Sequence, residues 1–298
     1  MLLELASFFT ALIGFLGAPT PCLPRAELCS GAVGAPPPVM QVQVADAAEA
    51  PAFTAGSSFL IDIGTGNILL DTNADKVRPM ASITKLMTAL VVLSSNPDFD
   101  RPLILAKGDQ RNGDHGYLFV GEEITFKNAW DLLLVASSND AAALLARETF
   151  GSEAKFVSAM NAYAKKLGLL RTTFVDPTGL DSGNTSTARE IAALARVALS
   201  QPEIRSAVTK NRFSFAPRGK AGRVVYATDQ LLAWFRLPGV SIFGGKTGYI
   251  DESGYNLVFA AGIPGHDLIG VVLGSENNNA RFQEMSRLLK WGFGVVGR

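Results

Sequence analysis

Histidine and cysteine are almost missing from this 298-residue chain, with two of each. A zinc site built on several histidines is excluded with them, and no His-Glu-x-x-His run occurs. His115 lies in a polar loop, Asn-Gly-Asp-His-Gly-Tyr, and His266 in a turn signal; both read as exposed. Cys22 and Cys29 fall in the first tenth of the chain, which excludes thiol protease or redox chemistry in a folded core. A charge excess of either sign is missing too: 27 Lys+Arg stand against 27 Asp+Glu. Nucleic-acid binding and polybasic membrane binding need clustered cations, so neither fits. An enzyme of this composition works with Ser, Lys, Asp and Glu, and no metal or cofactor is expected.

The apolar run at residues 5–18, LASFFTALIGFLGA, has fourteen residues. That is short for a membrane span and suits the apolar centre of a signal peptide. Glu4 precedes it with no Lys or Arg, so an uncleaved anchor is the other outcome. Cys22 follows Ala-Pro-Thr-Pro, which is no lipoprotein signal. Residues 19–56 are rich in Pro, Ala and Gly and read as a tether. The expectation is an export or anchoring segment plus tether over 1–56, and a folded domain over 57–298.

In the folded part, SSFLIDI and NILLDT read as two strands joined at Gly64-Thr65-Gly66 into a hairpin. ASITKLMTALVVLSS follows at helical spacing. Residues 128–148 and 153–167 are helical, with Ser137 ending one run and NDAAALLA resuming it. Ser152 is placed to cap the helix that Gly168 ends, Thr187-x-x-Glu190 reads as a capping box, and Pro202 opens a short helix. After residue 210, FSFAP, VVYA, SIFGGKTGYI, YNLVFAAGI and DLIGVVLGS read as strands, and a last helix covers about 280–293. Strands at both ends with helices between them predict an α+β fold, not a doubly wound parallel sheet.

Three short motifs stand in order: Ser82-Ile-Thr-Lys85, Ser137-Ser138-Asn139 and Lys246-Thr247-Gly248. Singly they carry little. Ser-x-x-Lys recurs at Ser152…Lys155, and Ser-x-Asn recurs at 94–96, 182–184 and 275–277. Read alone, Ser82 is a helix cap and Lys246 a solvated strand-edge lysine. The ordered set points to nucleophilic chemistry. A serine hydroxyl needs a nearby base, and on a helix i and i+3 share a face, so Lys85 reaches Ser82. Burial and a neighbouring cation such as Lys246 lower an amine's pKa into the working range. The first helical turn has free N–H groups for a developing oxyanion. Ser137 is suited to relay a proton, and Asn139 offers donor and acceptor to a substrate amide.

With these residues in place, the sequence resembles the low-molecular-mass penicillin-binding proteins, the serine D-alanyl-D-alanine carboxypeptidases of the peptidase S11 type. The likeness runs over about 57–297. It is carried by RPMASITKLMTA, SSNDAAALLA, MNAYAKKLGL, FVDPTGLDS, STAREIAALAR, GGKTGYIDESGYNLVFAA and ARFQEMSRLLKWGF. The resemblance implies an antiparallel sheet flanked by helices, with a helical lobe inserted at roughly 82–205. It implies release of the terminal D-alanine from peptidoglycan stem peptides through an acyl-enzyme, with β-lactams as acylating inhibitors, outside the cytoplasm. It makes Ser82 the nucleophile and Lys85 the base. Ser137 and Asn139 serve proton relay and amide binding, and Lys246, Thr247 and Gly248 line the substrate strand. The N–H groups of Ser82 and Tyr249 form the oxyanion hole, and Arg281 takes the terminal carboxylate.

Three departures stand out. Ile250 replaces the usual Thr, which bears on specificity. Ser138 replaces Gly or Asp at a variable place. The chain ends soon after Trp-Gly-Phe, so membrane contact is expected only through the N-terminal segment. A D,D-endopeptidase with the same site is the near alternative. A β-lactamase is disfavoured because no Glu-x-x-Leu-Asn run lies between Asn139 and Lys246. A non-catalytic wall-binding protein is disfavoured because the whole catalytic set is present.

Overall fold

The computed structural model describes residues 50–114 and 116–297. The leader, most of the tether and His115 lie outside the described residues. Strands β1 (Ser57–Asp62) and β2 (Ile68–Thr72) form the expected hairpin. Its turn is set by the Asp62 carboxylate, which accepts from the Gly64 N–H and the Thr65 hydroxyl. Short β3 (Arg78–Pro79) leads into a 3-10 turn at 81–84 and helix α1 (Lys85–Ser94). Strands β4 (Pro102–Ile104) and β5 (Glu123–Thr125) pair before α2 (Phe126–Leu134), α3 (Asn139–Phe150) and α4 (Glu153–Lys166). Short β6 (Thr185–Ser186) pairs with β3, and α5 (Ala188–Leu199) and α6 (Pro202–Val208) follow. The chain continues through the hairpin β7 (Arg212–Phe215) and β8 (Arg223–Tyr226) and a one-turn helix α7 (Leu231–Trp234). It closes with the long meander β9 (Ser241–Ile250), β10 (Gly254–Ile263) and β11 (His266–Ser275), then α8 (Asn278–Val296).

The main sheet has the order β2-β1-β11-β10-β9 and is antiparallel throughout. The two ends of the domain share one sheet, and the helices α1 to α6 are inserted between them. Strand period 2 divides the core. Leu60, Leu257, Phe259 and Ala261 face α8, where they meet Phe282, Met285 and Leu288. Phe59, Val258, Ala260 and Ile269 face the helical lobe. Both faces of the sheet are covered, so β10 and β11 read as near-continuous apolar runs. This arrangement leaves β9 at the sheet edge, facing the helical lobe.

Three local details differ from expectation. The Thr187 hydroxyl does cap α5, accepting from the Glu190 N–H. Glu190 does not close the box; it accepts instead from the Arg171 N–H and the Thr172 hydroxyl. His266 is no free turn residue, because its Nδ1 lies 2.7 Å from an Asp62 carboxylate oxygen. Residues 53–55, grouped by composition with the tether, dock on the domain. Phe53 packs on the core beside α8, and the Thr54 hydroxyl donates to Glu284.

Candidate active site

The head of α1 is built by close approach. Ala81 has φ +49, the left-handed region that L side chains seldom adopt. Gly179 makes this turn fit, since a Cβ there would collide with the Ala81 carbonyl. Gly248 on β9 presses from the other side, where a Cβ would stand 2.7 Å from the Met80 carbonyl and 3.2 Å from the Ser82 nitrogen. Ser82 is thereby held against the sheet edge. Lys85 is fully buried beneath it. Its Nζ donates to the Ser82 hydroxyl (2.9 Å), the Asn139 side-chain carbonyl (2.7 Å) and the Thr178 carbonyl (2.7 Å). Burial lowers the Lys85 pKa to about 7, against the pull of Asp176 and Asp114.

The break between α2 and α3 presents the second motif. Ser137 has φ +60. Ser138 caps α3, its hydroxyl accepting from the Ala141 N–H. Asp114 ties down the same helix start. One of its oxygens accepts from the Ser138 hydroxyl (2.7 Å) and the N–H groups of Asn139 (2.6 Å) and Asp140 (3.0 Å). A carboxylate at a helix N-terminus is favoured by the free N–H groups there. With α3 so fixed, Ser137 points its hydroxyl to Lys246 on β9, at 2.7 Å. Lys246 is buried, and burial first, then Lys85 and Arg281, holds its pKa well below the ordinary lysine value.

The third wall is β9 with its neighbours. The Thr247 hydroxyl is 2.7 Å from that of Thr228. Tyr249 stacks on Tyr255 with centroids 4.3 Å apart, and its hydroxyl donates to Asp251. Arg281 is 7 % exposed although it starts a surface helix. It donates to the carbonyls of Gly248 (3.0 Å) and Asn256 (3.3 Å) and to the Asn278 side chain (2.6 Å). Burial lowers its pKa to about 10.

These walls enclose a cleft of about 550 Å³ lined by Ser82, Ser137, Asn139, Thr247, Gly248, Tyr249 and Arg281. All nine residues singled out in the sequence come together here. Lys85 and Lys246 are not in the lining; they lie below it and touch the two hydroxyls from beneath. Sequence reading assigned no role to Asp114, Thr178, Asp176 or Thr228. Asp176 accepts from the N–H groups of Thr178, Gly179 and Asp181 and from the Asn184 side chain. It thereby ties the loop that offers the Thr178 carbonyl to Lys85. Burial alone would raise its pKa, and these hydrogen bonds outweigh that. The stretch FVDPTGLDS carried part of the family likeness, but its contact with Lys85 was not visible in the sequence.

A buried amine on a serine hydroxyl at the rim of a cleft, beside an edge strand, defines a serine-type hydrolase. Residues 44–277 match the peptidase S11 family model, described as D-alanyl-D-alanine carboxypeptidase. The chain belongs to that family. It is 32 % identical to a D-alanyl-D-alanine endopeptidase of Escherichia coli, over 86 % of this chain and 83 % of that one. It is 33 % identical to the D-alanyl-D-alanine carboxypeptidase DacC of the same organism, over 82 % of this chain and 62 % of that one. The crystal structure of the Streptomyces K15 DD-transpeptidase superposes with a TM-score of 0.77 at 29 % identity, covering 83 % of this chain and all of that one. Family membership implies peptidoglycan peptides as substrate class and acylation by β-lactams.

Proposed function

We propose that the protein removes the terminal D-alanine of peptidoglycan stem peptides through an acyl-enzyme on Ser82. The Lys85 amine, neutral for part of its time at pH near 7, takes the Ser82 proton as Oγ attacks the scissile carbonyl. The N–H groups of Ser82 and Tyr249 hold the oxyanion that forms. Ser137, hydrogen-bonded to Lys246, passes a proton to the leaving amine nitrogen, and the carbon–nitrogen bond breaks. Asn139 holds the substrate amide. Thr247 and Arg281 hold the carboxylate of the departing D-alanine. Water then attacks the ester and frees Ser82.

The observation that carries this reading is the pair of buried lysines, each on a serine hydroxyl, beneath a single cleft. Its test is intact-mass spectrometry of the protein with benzylpenicillin, beside Ser82→Ala. The expected result is an adduct on the wild type, mapped to Ser82, and none on the variant. An adduct on the variant overturns the nucleophile.

Cleavage of cross-linked peptides is a second reading, favoured by the relatives named endopeptidases. This chain covers 83 % and 76 % of their lengths, against 62 % for DacC. Rates on a monomeric pentapeptide and on a cross-linked dimer separate the two. We place the protein outside the cytoplasm at the wall, with membrane contact through its N-terminal segment, in keeping with the apolar run at 5–18. Among the described residues no helix is long and apolar enough to cross a membrane.

A further inference from the structure

Asp229 is a buried carboxylate beside the carboxylate-binding end of the cleft, and the mechanism above does not use it. It follows Thr228, whose hydroxyl is clipped to Thr247, and precedes α7. Its side chain is 7 % exposed. One oxygen accepts from the Leu231 N–H at 3.0 Å. The other is buried without a hydrogen-bond partner, and so is Nε of Arg281. The charged groups that act on it are Arg281 from α8 and Lys246 from β9. A buried carboxyl group under the influence of two buried basic groups, with Asp229 Oδ2 and Arg281 Nε left unsatisfied, is not a finished structural ion pair.

We propose that Asp229 is a positioning residue that sets how firmly Arg281 and Lys246 take up a substrate carboxylate. An ionised Asp229 competes with the incoming carboxylate for the same buried cations; a protonated Asp229 leaves them to the substrate. The inference rests on the assignment of this end of the cleft to a terminal carboxylate. Burial raises the Asp229 pKa to about 7, against the Leu231 N–H, Arg281 and Lys246. The carboxylate is therefore neutral below that pH and charged above it. A peptide's own terminal carboxylate stays ionised across this range. KM for such a peptide then rises with pH through about 7. The Lys85 amine titrates in the same region with the opposite benefit, since kcat needs its neutral form. Asp176 and Asp114 are the carboxylates that act on Lys85, and Asp229 is not among them. Lys246 feels both Lys85 and Asp229, so the KM effect is separated from the kcat effect by replacing Asp229.

The test compares wild type and Asp229→Asn, as full chains, on an acyl-D-Ala-D-Ala peptide and its C-terminal amide from about pH 6 to about pH 8.5. The amide is followed as substrate or as inhibitor. For wild type, KM of the carboxylate peptide should rise about tenfold, the size of two like charges interacting in a partly buried site, and the amide should not follow. In Asp229→Asn the KM rise should vanish, while the rise of kcat through about pH 7 remains. A variant whose KM tracks the wild type overturns the proposal. Should the variant not fold, the wild-type pair decides, because parallel KM profiles for carboxylate and amide also overturn it. A wild type that releases no D-alanine and forms no penicillin adduct overturns the peptidase reading itself, which is a different failure.

Discussion

Ser82-x-x-Lys85 and Ser152-x-x-Lys155 share a motif and reach opposite ends. Ser152 sits in extended backbone at φ −156 as the cap of α4, and its hydroxyl accepts from the Lys155 N–H at 3.3 Å. Lys155 is exposed. There the backbone uses the hydroxyl and water holds the amine. Ser82 sits in a 3-10 turn after a left-handed alanine, its hydroxyl free of any capping role, and Lys85 is fully buried. Helical spacing brings Ser and Lys together in both places. What sets Lys85 apart from Lys155 is desolvation, which the packed head of α1 provides.

The largest difference between the two regions should appear on removing the hydroxyls. Ser82→Ala should lower penicillin acylation and peptidase rate by about 10⁴-fold or more. Ser152→Ala should leave both unchanged. Lys85→Met should come next, with a loss of about 10³-fold, while Lys155→Met should cost nothing in rate. Wild-type acylation should rise with pH and level off above about 7, since Lys85 is depressed to about that value and only its neutral form accepts the proton. A limb near the ordinary lysine value would assign the base elsewhere.

Glycines sharpen the same contrast at a smaller scale. Gly179 and Gly151 both have positive φ, at +84 and +73. A Cβ at Gly151 meets open space, whereas one at Gly179 strikes the turn that carries Ser82. Gly151→Ala should cost about 1 kcal/mol of stability and no activity. Gly179→Ala should cost about 2 kcal/mol or more and lower acylation at least about tenfold, because the turn carrying Ser82 must shift. Urea unfolding together with penicillin acylation rates checks both.

Much of this was legible in the sequence, for definable reasons. The β9–β10–β11 meander announces itself by apolar runs broken at Asp251-Glu252-Ser253 and Pro264-Gly265. Ser82 and Lys85 are three residues apart, so their contact is local. The contact between Ser137 and Lys246 spans 109 residues, and no local spacing in the sequence could show it. Asp114 was hidden in a loop that reads as polar surface. Its task, holding the start of α3, depends on where that loop returns in space. The Thr178 carbonyl was hidden more deeply, because backbone groups leave no mark in composition. Arg281 looks misplaced at a helix start, where cations gain nothing from the dipole. Burial against two carbonyls explains it.

The smallest effect tests the bland half of the comparison. Ser152→Ala removes the acceptor for the Lys155 N–H and should cost about 1 kcal/mol, the usual worth of a serine cap. Ser152→Asp should keep most of that stability, since an aspartate accepts the same N–H and adds a charge suited to a helix N-terminus. Urea unfolding should therefore rank Ser above or level with Asp, and both above Ala, with acylation rates equal in all three. A change in acylation would mean that the head of α4 is mechanically linked to the cleft, and the two motifs would not be independent. Equal stability of all three would mean that the cap bond contributes nothing in water, leaving the second copy of the motif without even a structural task.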